Sequence, residues 1–197
     1  INKPVGLVVH PGAGNYENTL VNGLLYKFKN NLSNLSGKLR PGIIHRIDKN
    51  TSGIIVIAKN NISHSNLGKQ FHDHTIERDY LGLVWGSLRP LNGKIETLIT
   101  RSDKNRQLMT NSDKRGKKAI TNYQTLKVYF SKKLPKVSLV QFRLETGRTH
   151  QIRVHMKHIG HTLFNDEKYG GDMILKGTTF TKYKQFVDNC FKLLSRQ

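Results

Sequence analysis

The chain has 197 residues, 36% of them hydrophobic, and a single cysteine, Cys190. A chain of this length suits one domain and buries roughly 70% of the surface that its unfolded form exposes, so no staple is needed; one cysteine excludes an intramolecular disulfide and fits a reducing cytoplasm. No apolar run reaches the roughly 20 residues of a membrane-spanning helix, no signal peptide is read, and 33 Lys and Arg against 13 Asp and Glu, net +20, point to a nucleic-acid or anionic-membrane partner. Abundant Lys and Asn would also follow from mutational bias, so charge alone does not decide the partner. Because the chain starts at Ile1 without Met, directly in a strand-like run, it is expected to be a fragment truncated at both ends.

Asn2 to Pro11 reads as a strand broken by a turn at Pro4-Val5-Gly6. Gly12-Ala13-Gly14 is a loop, too short of glycine and lysine to cradle a phosphate. Asn18 or Thr19 caps a helix to about Phe28, with Leu20, Leu24 and Phe28 on one stripe. Residues 29–40 are polar and read as a loop.

Next comes His45-Arg46-Ile47-Asp48-Lys49-Asn50-Thr51-Ser52-Gly53. Asp48 is the only acidic side chain between Glu17 and Asp73. Nearby cations favour its ionised form, and the apolar run Ile54 to Ala58 behind it predicts a buried strand. A lone carboxylate at the mouth of a strand in a basic setting is a candidate nucleophile. It is equally a loop residue that caps its own backbone. The wording of this stretch resembles the HRLDxxTSG signature of the RluA-type pseudouridine synthases, with Ile47 in place of Leu. The resemblance makes Asp48 the catalytic nucleophile. It sends Arg46 into the base stack that the target uridine vacates, and adds His45 and Thr51 as RNA contacts. The opening Asn2 to Pro11 likewise resembles the family's NKPxGxxVHP.

Asn60 or Asn61 starts a helix to about His72. Ile76 to Trp85 reads as a strand with Arg78, Tyr80, Gly82 and Val84 on one face. By itself Tyr80 is an ordinary half-buried strand tyrosine; the resemblance to the family's KxYxAxV makes it the residue that stacks on the uracil. Gly93 to Thr100 is a further strand, leading into a basic stretch with Arg106 and Lys117. That stretch is either a solvated loop or a hairpin lying along phosphates. Residues 116–123 resemble the family's GKxAxTxY.

Val137 to Thr146 predicts a strand with Val140, Phe142 and Leu144 inward. Leu144-Glu145-Thr146-Gly147-Arg148-Thr149-His150-Gln151-Ile152-Arg153-Val154-His155 follows. Gly147 would permit a sharp turn, Thr149 would cap a helix, and Ile152, Met156 and Ile159 would be its buried stripe, with Gly160 at its end. Arg148 and Gln151 would then sit at a helix N-terminus that favours an anion. The run resembles the family's LxTGRTHQIRVH. The resemblance pairs Arg148 with the catalytic carboxylate, and adds Gln151 and Arg153 as RNA contacts. His150, His155, His158 and His161 do not have the spacing of a metal site, and no metal is expected. Residues 160–171 resemble GHPxxGDxxYGG, but Thr162 and Asn165 replace Pro and Gly, so that turn is expected to be built differently. Residues 181–196 read as an amphipathic helix with Phe186, Cys190 and Leu193 or Leu194 inward.

The expected fold is α+β, the pseudouridine synthase fold, with a mixed, mostly antiparallel central sheet flanked by helices and loops. Residues 1–197 would be one catalytic domain, without the S4 domain that precedes it in many relatives. The implied reaction isomerises uridine in ribosomal RNA, needs no cofactor, and is expected of a cytoplasmic monomer. Two rivals stand beside it: a non-catalytic RNA-binding protein, and a hydrolase or ribonuclease using His45 with Ser52 or paired histidines. Ser52 lacks the G-x-S-x-G elbow, which weakens the second.

Overall fold

Helix signals in the first third act as the sequence predicts. The computed structural model describes residues 1–12, 14–131, 134–174 and 181–194. They pack as two compact units, Ile1–Ile76 and Glu77–Gln197. In the first unit Thr19 caps α1 (Leu20–Phe28): its hydroxyl accepts from the Asn22 amide, and the Asn22 side chain accepts from the Thr19 N–H. Asn60 caps α2 (Asn61–His72) through the Ser63 amide. In both cases a short polar side chain satisfies a donor that the helix leaves open.

The apolar run after Asp48 is not a regular strand. β1 (Asn2–Lys3) pairs antiparallel with β2 (Gly53–Ile54), and pairing stops there. Ile54 is 69% exposed while Ile55 is fully buried. Beyond it the backbone turns to several partners. Ile55 N–H donates to Ile1, Val56 N–H to the His45 ring, and Ala58 N–H to Gly42, while Ile57 makes a lone bridge with Ile43. The hydrophobicity of the run buries it, but its hydrogen bonds are shared among loops rather than given to one neighbour.

The second unit is built on a five-stranded sheet. Its strands are β3 (Asp79–Trp85), β4 (Asn92–Arg101), β5 (Met109–Ser112), β6 (Lys117–Ser131) and β7 (Leu134–Leu144), in the order β3-β7-β6-β4-β5. Every named strand pair among the described residues is antiparallel, in keeping with the expected mostly antiparallel sheet. Alternation along β3 and β7 buries Val84, Val140 and Phe142, with Leu88, Ile95, Met156 and Leu163 completing one core and Tyr80, Ile152 and Ile159 packed against it.

The helices α3 (Gln151–His158) and α4 (Thr181–Leu193) belong to this unit, with a 3₁₀ turn at Glu167–Tyr169 between them. Along α4 the buried residue is Val187, packed with Trp85 and Phe164, with Cys190 and Phe191 beside it. Leu193 is 84% exposed and Phe186 50%, so the inward stripe is rotated from the predicted one. Where the family motif has Gly, Asn165 takes the same left-handed backbone, φ 63°, which asparagine tolerates. Its side-chain amide donates to the Phe191 and Leu194 carbonyls, fastening the turn to α4.

Candidate active site

In the first unit, Asp48 opens a tight turn: the Thr51 amide donates to its carbonyl at 3.1 Å. The turn is tied down from below by Lys3, whose side chain is fully buried. Lys3 Nζ donates to the carbonyls of Pro4 (2.7 Å), Leu7 (2.9 Å) and Lys49 (3.0 Å). The Gly6 amide also donates to the Lys49 carbonyl. Burial pushes the Lys3 ammonium below the ordinary lysine range, and the negative charge of Asp48 pulls the other way. Lys3 is thus a buried cation that holds the residue after Asp48 and feels the Asp48 carboxylate. The sequence reading missed it, although a lysine flanked by a strand start and Pro4 is an unusual place for a solvated charge.

The residues before Asp48 are fixed as well. The Val56 amide can only donate, so the His45 Nε2 that it meets at 3.0 Å accepts, and the neutral ring carries its proton on Nδ1. That ring stacks on Phe71 with centroids 4.6 Å apart. Arg46 is exposed and its guanidinium donates to His10 Nε2 at 3.2 Å. Thr51 is 7% exposed, so it helps close the turn and does not face solvent as an RNA contact would.

In the second unit, Tyr80 is half-buried on β3, opposite Phe142 of β7, and packs on the core. Arg78, just ahead of it, donates to the Leu144 carbonyl; burial lowers the pKa of its guanidinium and Tyr80 opposes that. Asp79, a departure from the family wording, is held low in pKa by a two-pronged bond from Arg143, 2.9 and 3.0 Å.

Arg148 lies on the turn between β7 and α3. Gly147 is not left-handed there, and a Cβ would meet only the tip of the flexible Arg78 side chain, at 2.8 Å. Thr149 does not cap α3. The cap is His150, in left-handed backbone (φ 56°, ψ 22°) with no side-chain cap bond. The Gln151 side chain braces the turn instead. Its Oε1 accepts from the Arg148 amide (2.9 Å) and the Thr146 hydroxyl (2.8 Å), and its Nε2 donates to Ile120 O and Thr121 Oγ1, both 2.9 Å. The Arg148 side chain then reaches β6, where Nε donates to the Lys118 carbonyl at 2.9 Å.

Gln151 and Arg153 were expected to touch RNA, and the geometry corrects both. Gln151 is 3% exposed with its amide engaged, and Arg153 is 6% exposed. Arg153 grips the fully buried Asp166 at 2.7 and 2.8 Å and covers the Tyr169 ring. Both hold the fold around Arg148. Arg106 and Lys117 do lie exposed, on the loop after β4 and at the start of β6. In the same basic stretch Arg115 pairs with Asp103 and Lys118 with Glu96.

The histidines near α3 do not share a site. His155 is fully buried between Thr97 and Thr121 hydroxyls, His150 meets the Tyr169 hydroxyl, and His161 meets the Trp85 carbonyl. Among the described residues no three His, Cys, Asp or Glu side chains converge on a metal position, and no described helix is long and apolar enough to cross a membrane.

Known proteins agree with this framework. The chain is 52% identical over 171 residues to the ribosomal large subunit pseudouridine synthase D of Zymomonas mobilis, covering 86% of this chain and 52% of that protein. It is 40% identical over 199 residues to the protein of the same name from Borreliella burgdorferi, covering 98% and 60%. The chain therefore spans about half to three fifths of the length of these curated relatives. Among solved structures, human RNA pseudouridylate synthase domain containing 4 superposes with a TM-score of 0.71 at 22% identity, covering all of this chain and 76% of that one, which speaks for the fold. The RNA pseudouridylate synthase family profile matches residues 1–158, and the chain belongs to that family, in its RluA/RluD-type branch.

Proposed function

We propose that this chain is the catalytic part of an enzyme that converts specific uridines of large-subunit ribosomal RNA to pseudouridine, acting as a monomer in the cytoplasm. The observation that carries the proposal is the Asp48 turn, tied through the Lys49 carbonyl to a buried lysine that also holds the Pro4 and Leu7 carbonyls, and preceded by an arginine. Such bracing is what a nucleophile needs, since reactive groups must be held close to their productive geometry.

In the proposed reaction the bond between ribose C1′ and uracil N1 breaks, the base turns, and a bond forms between C1′ and C5. The proton leaves C5 and N1 regains one, so the product is an isomer. Asp48 is the nucleophile. Arg148, always charged and able to hold a carboxylate two-pronged, supports that carboxylate. Tyr80 stacks on the uracil, which must leave its own stack at a cost of a few kcal/mol. His45, Arg46, Arg106 and Lys117 are the proposed RNA contacts.

The test is Asp48→Asn, assayed on large-subunit ribosomal RNA with pseudouridines mapped by chemical sequencing. The variant should bind RNA as the parent does and form no pseudouridine. Retained conversion would refute the nucleophile role, and chain cleavage in place of pseudouridine would favour a hydrolase.

A further inference from the structure

One cavity of the first unit, walled in part by the proposed RNA contacts His45 and Arg46, has no ligand assigned to it so far. It has a volume of about 240 Å³ and is lined by His10, Ser36, Arg40, Ile43, Ile44, His45 and Arg46. Against a water's ~30 Å³ in the liquid, it has room for a tetrahedral oxyanion and its solvation. No acidic residue lines it, and two arginines, Arg40 and Arg46, do.

The polar chemistry of its walls is defined atom by atom. Pro11 O can only accept, so His10 Nδ1, 3.0 Å away, donates. Arg46 can only donate, so His10 Nε2 accepts. His10 is therefore a neutral ring, 8% exposed, that holds one N–H corner of Arg46. The rest of the Arg46 fork has no hydrogen-bond or ion-pair partner among the described residues, and neither has the exposed Arg40 side chain. Ser36 is a brace: its hydroxyl bonds to the Ile43 carbonyl at 2.9 Å and meets His64 Nε2 at 3.2 Å.

Two arginines facing one small cavity repel each other unless an anion lies between them. Arginine forks match phosphate oxygens two at a time. We propose that this cavity seats a single backbone phosphate of the RNA, gripped by Arg40 and by the N–H edge of Arg46 that His10 leaves available. The proposal rests on RNA being the substrate. It is compatible with Arg46 lying against a base, because a stacked guanidinium keeps its N–H edge for a phosphate. The bound phosphate would set the register of the strand two residues from Asp48, while Arg40 and His10 take no part in the chemistry: Arg40 binds, and His10 positions Arg46.

The experiment compares the chain with Arg40→Met and Arg40→Gln, both at an exposed position where folding is easily checked by circular dichroism. Inorganic sulfate, titrated at constant ionic strength, should give saturable shifts of the His10 and His45 ring signals in NMR, and these shifts should vanish in both variants. Binding to large-subunit ribosomal RNA should lose roughly 0.7–0.9 from its log–log salt slope in each variant, the share of one phosphate contact. Unmoved ring signals would overturn the proposal, and so would an unchanged salt slope. Pseudouridine formation by the parent chain is measured alongside: if it is absent while both binding results hold, the reaction is wrong and the phosphate seat stands.

Discussion

At the scale of single residues, the site depends on side chains that never face substrate. Lys3 is the clearest case. Replacing it by methionine keeps its length but takes the donor from the Pro4 and Leu7 carbonyls, while the Lys49 carbonyl keeps the Gly6 amide. An abandoned buried acceptor costs about 1–3 kcal/mol. Lys3→Met should therefore lower the unfolding free energy by about that much or more, read from urea melts, and should cut turnover by loosening the Asp48 turn. Arg148→Ala makes a different prediction. Its Nε bond to Lys118 is one contact at a surface turn, so stability should change little, while kcat should fall far more than RNA affinity. A fall in affinity alone would place Arg148 in binding and not in support of the nucleophile.

At the scale of elements, α3 is fastened to the sheet by polar bonds inside a hydrophobic setting. Thr97 of β4 and Thr121 of β6 flank the His155 ring, and Gln151 joins Thr121, Ile120 and Thr146. Burial, and then the charge of His158, hold the His155 pKa down from 6.5 to about 4. The sign follows directly: the unfolded chain takes up this proton before the folded one does. Stability from neutral His155 is complete above about pH 6.5 and is lost as pH falls towards about 4. The loss amounts to something on the order of 3 kcal/mol. His155→Gln should be less stable at neutral pH yet lose less on acidification, so the two unfolding curves should converge as pH approaches about 4. The elements also show what can be read in advance. Thr19 and Asn60 announce their helices because capping is local chemistry. Alternation along β3 and β7 is likewise local. The run after Asp48 misleads because hydrophobicity reports burial, not which neighbour takes the hydrogen bonds. Gln151, Arg153 and Thr51 pass for RNA contacts in the sequence because a motif gives residue types without giving burial. In α4 the inward face is set by Trp85 and Phe164, aromatic rings supplied from distant sequence.

At the scale of the whole molecule, charge is the dominant property. With a net +20 and exposed cations such as Arg106 and Lys117 between β4 and β6, association with RNA should be fast and strongly weakened by salt. A plot of log affinity against log salt for ribosomal RNA should be steep and linear, and a flat line would contradict phosphate contacts altogether. Removing Arg106 or Lys117 should weaken binding to all RNAs alike, because such contacts anchor without reading sequence. Under the proposed function, the selection of particular uridines would come from elsewhere, through the shape of the RNA that can present a base to Asp48.

The buried ammonium under the Asp48 turn has one more consequence. Three carbonyl oxygens at 2.7–3.0 Å accept from Lys3 Nζ, the same kind of oxygen that holds a potassium ion in a selectivity filter, though fewer of them. Here the ion is covalently tethered. It cannot be dialysed away or exchanged for sodium, so the loop that presents the carboxylate should keep its shape whichever monovalent salt surrounds it.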